Sequence, residues 1–329
     1  MERASAIRMK IIDKHLVAEA HDAMLDEYDD INDLWYTHLF NVIHEFIARK
    51  IPSGRGKKAL DVGCGTGFQS LLLARAGYEV HGFDIAAQLV ELAKSKATTL
   101  SQDDNTLWPL YRTSLASFMR EQVRIVALAD QLRNEAPVIP PKFWVDDAMN
   151  PKAYNSGPYD CIVCCGSVLS FINDHERMMA FIGGALKRGG LLFLEVEQKV
   201  NMDLLWPIVD SLLLGKLHYE QSFKESLKNL FVPPGRNLCV EYPFKLTNGK
   251  EVILPLWLFS VSYLGSMFKH CGLQLGNRRG IHILTNIFPS TILHKQYPTL
   301  MSRLLFTILA RADGAISGFW PFWRLGEQR

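Results

Sequence analysis

Three glycines and two acids hold the most readable chemistry in this chain. Asp61-Val62-Gly63-Cys64-Gly65-Thr66-Gly67 follows the apolar pair Ala59-Leu60, and a second stretch, Tyr78 to Phe83, ends on Asp84. Glycines let a backbone turn tightly and come close to a ligand. An acid at the end of the second strand can accept hydrogen bonds from both hydroxyls of a ribose. The spacing predicts a strand, a glycine turn, a helix and a second strand. That is one nucleotide-binding half of a doubly wound sheet.

The glycine spacing argues against a dinucleotide. After Gly63 and Gly65 the third position of G-x-G-x-x-G is Phe68, whereas the third glycine here falls one residue earlier, at Gly67, and an acid leads the run. Asp-x-Gly-x-Gly-x-Gly resembles motif I of the class I S-adenosylmethionine-dependent methyltransferases. The resemblance implies that Gly63, Cys64, Gly65 and Gly67 pack against the methionine part of the cofactor and that Asp61 helps hold its ammonium. It implies a ribose contact for Asp84, with Ile85 beside it, and an adenine contact for Asp147, followed by the small Ala148. Asp147 can also be read as a helix cap or a turn residue. Tyr159-Asp160 followed by Cys161 to Cys165 resembles the family's fourth strand, after which Gly166 would let the backbone pass close to the cofactor. Leu186 to Glu195 resembles its leucine-lysine-proline-glycine-glycine turn and fifth strand, with Arg188 in place of proline. The likeness spans residues 56 to 197, with an interruption. It further implies that Tyr28 and Tyr36 close over the cofactor from N-terminal helices.

A sulfonium methyl is already a good electrophile, so the protein must mainly align an acceptor and exclude water. A base is needed only if the acceptor loses a proton. His175 and His218 are the candidate bases; each can equally be a surface residue. In related enzymes a histidine sometimes follows the fourth strand, but Ser170 and Phe171 stand there, which leaves room for catalysis by proximity alone.

These residues need an α/β scaffold of the class I, Rossmann-like, doubly wound type, with a helical insertion and C-terminal cap elements. Residues 1–55 read as an N-terminal helical lid with an apolar stripe at Val42, Ile43, Phe46 and Ile47. Residues 56–197 form the cofactor core. Its strands lie near Ala59–Val62, before Asp84, at Phe143–Val145 and from Cys161, and its helices at Phe68–Ala76 and Ala87–Ala97. Residues 98–142, helical from Leu107 to Arg133, read as an insertion that caps the substrate or forms a surface helix. Asp174 is expected to cap a helix over His175–Leu186, ended by Lys187–Gly190, with a strand over Leu191–Glu197. Residues 198–329 supply the rest: a helix over Leu204–Leu214, a hairpin turning at Asn248-Gly249, a helix near Tyr263–Cys271, a strand from Leu273 that closes the sheet, and a helix over Leu300–Leu309.

Composition narrows the class. The chain has 329 residues, of which 48% are hydrophobic, enough for a large core. The net charge of +2 gives no field favouring nucleic acid, and neither an Asn/Asp-Pro-Pro-Tyr nor a Pro-Cys motif occurs. Charges at Glu2, Arg3, Arg8 and Lys10 without an apolar core after them give no expectation of a secretory signal, and six cysteines in this length suit a reducing cytoplasm rather than a disulfide framework. Cys161-x-x-Cys164-Cys165 suggests metal or redox chemistry less than small residues in a buried strand, because successive strand residues face opposite ways; no metal is predicted. Val252–Phe268 carries no charge but contains Pro255, Ser260, Ser262 and Gly265, and reads as strand, turn and amphipathic helix rather than a membrane span. Phe319, Trp320, Phe322 and Trp323, accompanied by Arg303, Arg311 and Arg324, suit helix packing, a hydrophobic substrate tunnel, a homodimer or a peripheral membrane contact. The expected activity is methyl transfer to a small, apolar acceptor. An aminopropyl transferase would need further acids for a polyamine, and a non-catalytic scaffold of the same fold is expected to have lost the glycines or Asp84.

Overall fold

The computed structural model describes residues 12–28, 31–102, 115–199, 204–217, 219, 223–233, 235–246, 249–293 and 298–316. Three helices open the chain: α1 (Lys14–Asp22), α2 (Leu25–Tyr28) and α3 (Leu34–Lys50). Alternating strands and helices follow: β1 (Lys58–Val62), α4 (Phe68–Arg75), β2 (Glu79–Asp84), α5 (Ala87–Gln102), α6 (Ala116–Arg133), β3 (Lys142–Val145), β4 (Tyr159–Cys164), α7 (His175–Ala185) and β5 (Leu186–Leu194). The chain continues through α8 (Trp206–Leu212), α9 (Phe223–Leu230), β6 (Leu238–Lys245), β7 (Glu251–Leu258), α10 (Val261–His270), α11 (Ser290–Leu293) and α12 (Leu300–Ile316).

The sheet has the order β3-β2-β1-β4-β5, every neighbouring pair parallel. The order reverses between β1 and β4, and a doubly wound sheet opens its ligand crevice at that switch point, outside the carboxyl ends of the strands. Parallel strands covered on both faces read as continuous apolar runs. Ala59, Leu60 and Val62 of β1 and Cys161 to Cys164 of β4 are all buried. One face carries α3, α4 and α6, with Ile43, Ile47, Leu71, Leu72, Ile125 and Val126 in a single core. The other face carries α7 and α10 through Met178, Met179, Ile182 and Met267. The described part of the 98–142 segment thus adds a helix beside α3 and α4, where Asn41 donates to Glu121 at 2.8 Å; 103–114 lie outside the described residues.

Side chains close the helix ends that position the site. Asp33 accepts the Tyr36 N–H at 2.7 Å and starts α3, and Asp174 accepts the Arg177 N–H at 3.1 Å and starts α7, satisfying N-terminal donors that would otherwise lack partners.

Two elements differ from the expectation. The helix α7 ends at Ala185 and β5 begins at once, so Lys187–Gly190 sit inside the strand as a bulge between the pairs Tyr159–Leu186 and Cys161–Leu191. Gly189, at φ +77°, allows that turn without a Cβ penalty. Among the described residues no strand forms from Leu273. Instead the chain beyond β5 pairs with the end of β7: Phe259 N–H donates to the Glu197 carbonyl at 2.9 Å, and Lys199 N–H to that of Phe259 at 3.0 Å. Residues 273–280 offer only Leu273 and Leu275 before two glycines and two arginines, too few apolar positions for a strand. The hairpin β6–β7 is antiparallel as expected, with Gly249 at φ +78° in its turn. No helix among the described residues is long and apolar enough to cross a membrane.

Candidate active site

The glycine loop between β1 and α4 is built into the switch point. Gly63 sits at φ +70°, and a Cβ there would lie 2.3 Å from Val168 Cγ2, so the loop and the turn after β4 touch where only hydrogen fits. The Gly63 and Cys64 N–H groups donate to the Phe83 carbonyl at 2.9 and 3.0 Å, which locks the loop to β2. The Gly65 N–H donates to Asp84 Oδ2 at 2.8 Å. Gly67, at φ +88°, begins α4 against Phe143 and Ala93. The Cys64 side chain points away, into a cluster with Val90, Ala93 and Phe143, and burial pushes its thiol well up. Of the loop positions, Cys64 therefore offers backbone to a ligand and its side chain to the core.

The acids form a graded set. Asp84 also accepts the Ala86 N–H on Oδ1 at 2.9 Å and a backbone hydrogen bond from Ile85, so three backbone donors fix the carboxylate and part of its acceptor capacity is left for a ligand. Burial raises its pKa, opposed by those N–H groups and by His21. Asp61 is buried beneath the loop, where Ser70 Oγ donates to it at 2.7 Å. Burial pushes its carboxyl up to about 7 against that hydrogen bond, with repulsion from Asp84 adding to the rise. Glu195, just past β5, accepts the Gly166 and Ser167 N–H groups on Oε2 at 2.9 and 2.7 Å, while Ser167 Oγ donates to Glu197 at 2.9 Å. Burial and the neighbouring Glu197 raise Glu195 to about 7. Gly166 and Ser167 both have positive φ, which aims two successive N–H groups at one carboxylate.

Asp147 stands at the end of β3, where Oδ1 accepts the Met149 N–H at 2.8 Å and Oδ2 pairs with Lys14 of α1 at 3.2 Å. Ala148 is buried in the core on the α7 face, its carbonyl taking the Tyr154 hydroxyl at 2.9 Å. Ile85 packs against the buried cluster that includes Val17, Ala20, Phe244 and Leu254.

Aromatic rings from four segments close over this edge. A Cβ on Gly65 would lie 3.7 Å from Tyr28, which places that ring above the loop. Burial, Asp84 and Tyr242 hold the Tyr28 phenol up. Tyr36 shares a side-chain hydrogen bond with Tyr242, and the nearness of Tyr242, together with burial, keeps the Tyr36 phenol well above its ordinary value. Tyr242 packs on Phe244, ring centroids 5.1 Å apart, and Phe244 on Phe171 at 5.9 Å. Of these rings, sequence reasoning named Tyr28 and Tyr36. It missed Tyr242, Phe244, Phe171 and His21, and it missed Glu195. The signal available for Tyr242 and Phe244 was their two-residue spacing on one face of a strand, which says nothing of what that face meets.

The candidate bases are not brought to this edge together. His175 begins α7 and is buried among Phe259, Trp257 and Tyr263, at centroid distances of 4.8, 5.3 and 6.2 Å, and burial lowers its pKa to about 4. His218 lies outside the described residues, as do Phe319, Trp320, Phe322 and Trp323. The strand cysteines Cys161, Cys164 and Cys165 are buried thiols.

These residues fit a nucleoside cofactor with a cationic tail. A Cβ on Gly166 would meet nothing within 4 Å, so the backbone there borders open space, while one on Gly65 would meet only the Tyr28 ring, at 3.7 Å. Asp84 keeps acceptor capacity beside Gly65.

The family model described as a methyltransferase domain matches residues 35–275. A ubiquinone biosynthesis O-methyltransferase from Actinobacillus pleuropneumoniae is 33% identical over 187 residues, 54% of this chain and 72% of that protein. The protein of that name from Coxiella burnetii is 36% identical over 199 residues, 60% of this chain and 68% of its own length. A solved SAM-dependent methyltransferase from Methanosarcina mazei aligns with a TM-score of 0.43 at 19% identity, covering 71% of this chain and 87% of that one.

Proposed function

The chain belongs to the methyltransferase-domain family and is an S-adenosylmethionine-dependent methyltransferase, and from that premise we propose that it methylates a hydroxyl oxygen on a small, largely apolar, ring-bearing acceptor. The observation that supports this most is the aromatic wall of Tyr28, Tyr36, Phe171, Tyr242 and Phe244 drawn from separate segments over Asp84 and the glycine loop. The O-methyltransferase names of the two relatives support the choice of oxygen.

The cofactor supplies a methyl group already activated for displacement. The protein's part is binding, orientation and exclusion of water. In this reading Asp84 binds the ribose hydroxyls with its remaining lone pairs, and the backbone at Gly63, Gly65 and Gly67 lies against the methionine portion. Asp61 and Glu195 each titrate near neutral pH, so an arriving cation favours their charged forms. The aromatic wall holds the acceptor's ring and keeps water from the transfer, which is worth more than any single polar contact when the reagent is already electrophilic.

The test is calorimetric titration of S-adenosylmethionine and S-adenosylhomocysteine into wild type and Asp84→Ala, followed by a screen with methyl-labelled cofactor against phenols bearing apolar substituents and matching amines. Hydrogen bonds to a charged group contribute about 1.5–3 kcal/mol, so the variant should weaken binding about 10- to 150-fold. Folded wild type that ignores both ligands would refute cofactor binding through this edge. Label appearing on amines and never on phenols would refute the choice of oxygen.

A further inference from the structure

Resting on the hydroxyl-acceptor reading above, we propose that His21 is the group that takes the acceptor's proton. The helix α1 crosses the carboxyl edge of the sheet and is tied to three of its loops. The Asn173 side chain after β4 exchanges two hydrogen bonds with the Ile12 backbone, at 3.0 and 3.1 Å. Lys14 pairs with Asp147 after β3, and Asp22 accepts the Gln88 N–H at the start of α5, at 2.9 Å. His21 lies on the last turn of this strap, close enough to Asp84 that a proton gained by the ring would favour the ionised carboxylate.

Its ring is held by packing. Phe171, in the turn after β4, meets it edge-on with centroids 5.5 Å apart and planes at 85°. Phe244, on β6, meets it at 5.4 Å and 43°. Its tautomer is held as well. Nδ1 lies 2.8 Å from the Val17 carbonyl, and a carbonyl only accepts, so Nδ1 carries the hydrogen and donates it. In the neutral ring the lone pair therefore sits on Nε2, which receives no hydrogen bond from the described residues. A base needs an ordered ring, a fixed tautomer and an open nitrogen. His175 lacks the last of these, because its Nε2 is buried without a partner in the apolar packing around Phe259 and Trp257.

The step balances without any further reagent. The acceptor's O–H bond breaks and its proton passes to His21 Nε2. The oxygen's electron pair forms the O–CH3 bond as the S–CH3 bond breaks, and the pair of that broken bond stays on sulfur as a neutral thioether. The positive charge ends on His21, with Asp84 nearby and Nδ1–H still donating to Val17.

Binding of 4-nitrophenol, whose phenolate is coloured and whose phenol is not, tests this directly. The titration uses full-length protein saturated with S-adenosylhomocysteine, below the pH at which the free phenol ionises. Wild type should develop the phenolate colour and H21Q should not, although H21Q should bind S-adenosylhomocysteine within about threefold of wild type. Turnover of a methylatable phenol should fall about 10²–10³-fold in H21Q, and added imidazole should recover part of it in H21A. Equal phenolate colour in H21Q and wild type, or a loss of turnover under about fivefold, would overturn the assignment. Should both variants fail to bind S-adenosylhomocysteine, wild type decides alone: bound probe that stays colourless overturns it. Wild type that binds S-adenosylhomocysteine but neither binds nor methylates any phenol overturns the hydroxyl-acceptor reading itself, a distinct result.

Discussion

Replacing Gly63 by alanine should damage the molecule in two separable ways. The residue sits at φ +70°, where an L-residue costs about 1–2 kcal/mol. Its new Cβ would also fall 2.3 Å from Val168 Cγ2 and 3.1 Å from Cγ1, contacts that force the loop or the turn after β4 to move. Overpacking of that kind costs about 1–3 kcal/mol. The expected loss for Gly63→Ala is then about 2–5 kcal/mol. Val168→Ala removes both offending methyls, leaving the nearest Val168 atom, Cβ, at 3.3 Å. Alone it should cost about 1 kcal/mol, because Val168 is only half-buried. In the double variant the clash disappears and the backbone strain remains, so the pair should be better than additive by about 1–3 kcal/mol. Urea denaturation of all four proteins gives the cycle, and calorimetry with S-adenosylhomocysteine reports whether the loop has moved. Gly63→Ala within about 0.5 kcal/mol of wild type, or a strictly additive cycle, would refute the claim that a hydrogen-only contact joins motif and turn.

Other outcomes follow from buried titratable groups and from the base. His44, in the core of α3, is lowered by burial to about 3, so it stays neutral in the fold. Its stabilising share is complete above the ordinary pKa of about 6.5 and is lost as pH falls below it, at about 1.4 kcal/mol per unit. His44→Phe should therefore gain about 2 kcal/mol on wild type between pH 7 and pH 5, measured by denaturant melts at both; an unchanged difference would contradict the neutral, desolvated ring. Asp61 behaves oppositely: its folded pKa of about 7 lies above the ordinary 3.8, so folding favours the protonated acid and wild type loses stability as pH rises through that window. Asp61→Asn should lack this fall and gain on wild type between about pH 4 and pH 7; parallel pH profiles for the two proteins would rule it out. Asp84→Ala should weaken the cofactor and His21→Gln should spare it, so calorimetry alone separates the two roles.

Where the determinants are contiguous, the sequence was enough. The acid-glycine run from Asp61 to Gly67, the acid ending β2 and the apolar runs of β1 and β4 set local backbone geometry and burial by themselves. That made the parallel doubly wound core legible, and with it the loop and Asp84 as a pair. The hairpin was legible too, since alternation and a glycine turn are local properties. What surrounds the loop was not. Tyr242 and Phe244 lie about 160 residues from Asp84 in the chain, and their strand pattern fixes which face they share but not its partner. His21 looked like one helical histidine among ten until α1 was strapped across the sheet edge. Glu195 became a neighbour of Gly166 only through the parallel pairing of β4 and β5, whose register the bulge at Lys187–Gly190 adjusts. The strand expected from Leu273 is absent because residues 273–280 hold only two apolar positions, and the chain after β5 bonds Phe259. Sequence determines which residues a segment must hide and where its backbone can turn; which hidden faces meet depends on the folded chain's competition for shared surface, and that competition assembled the aromatic wall and set the His21 ring against Phe171 and Phe244.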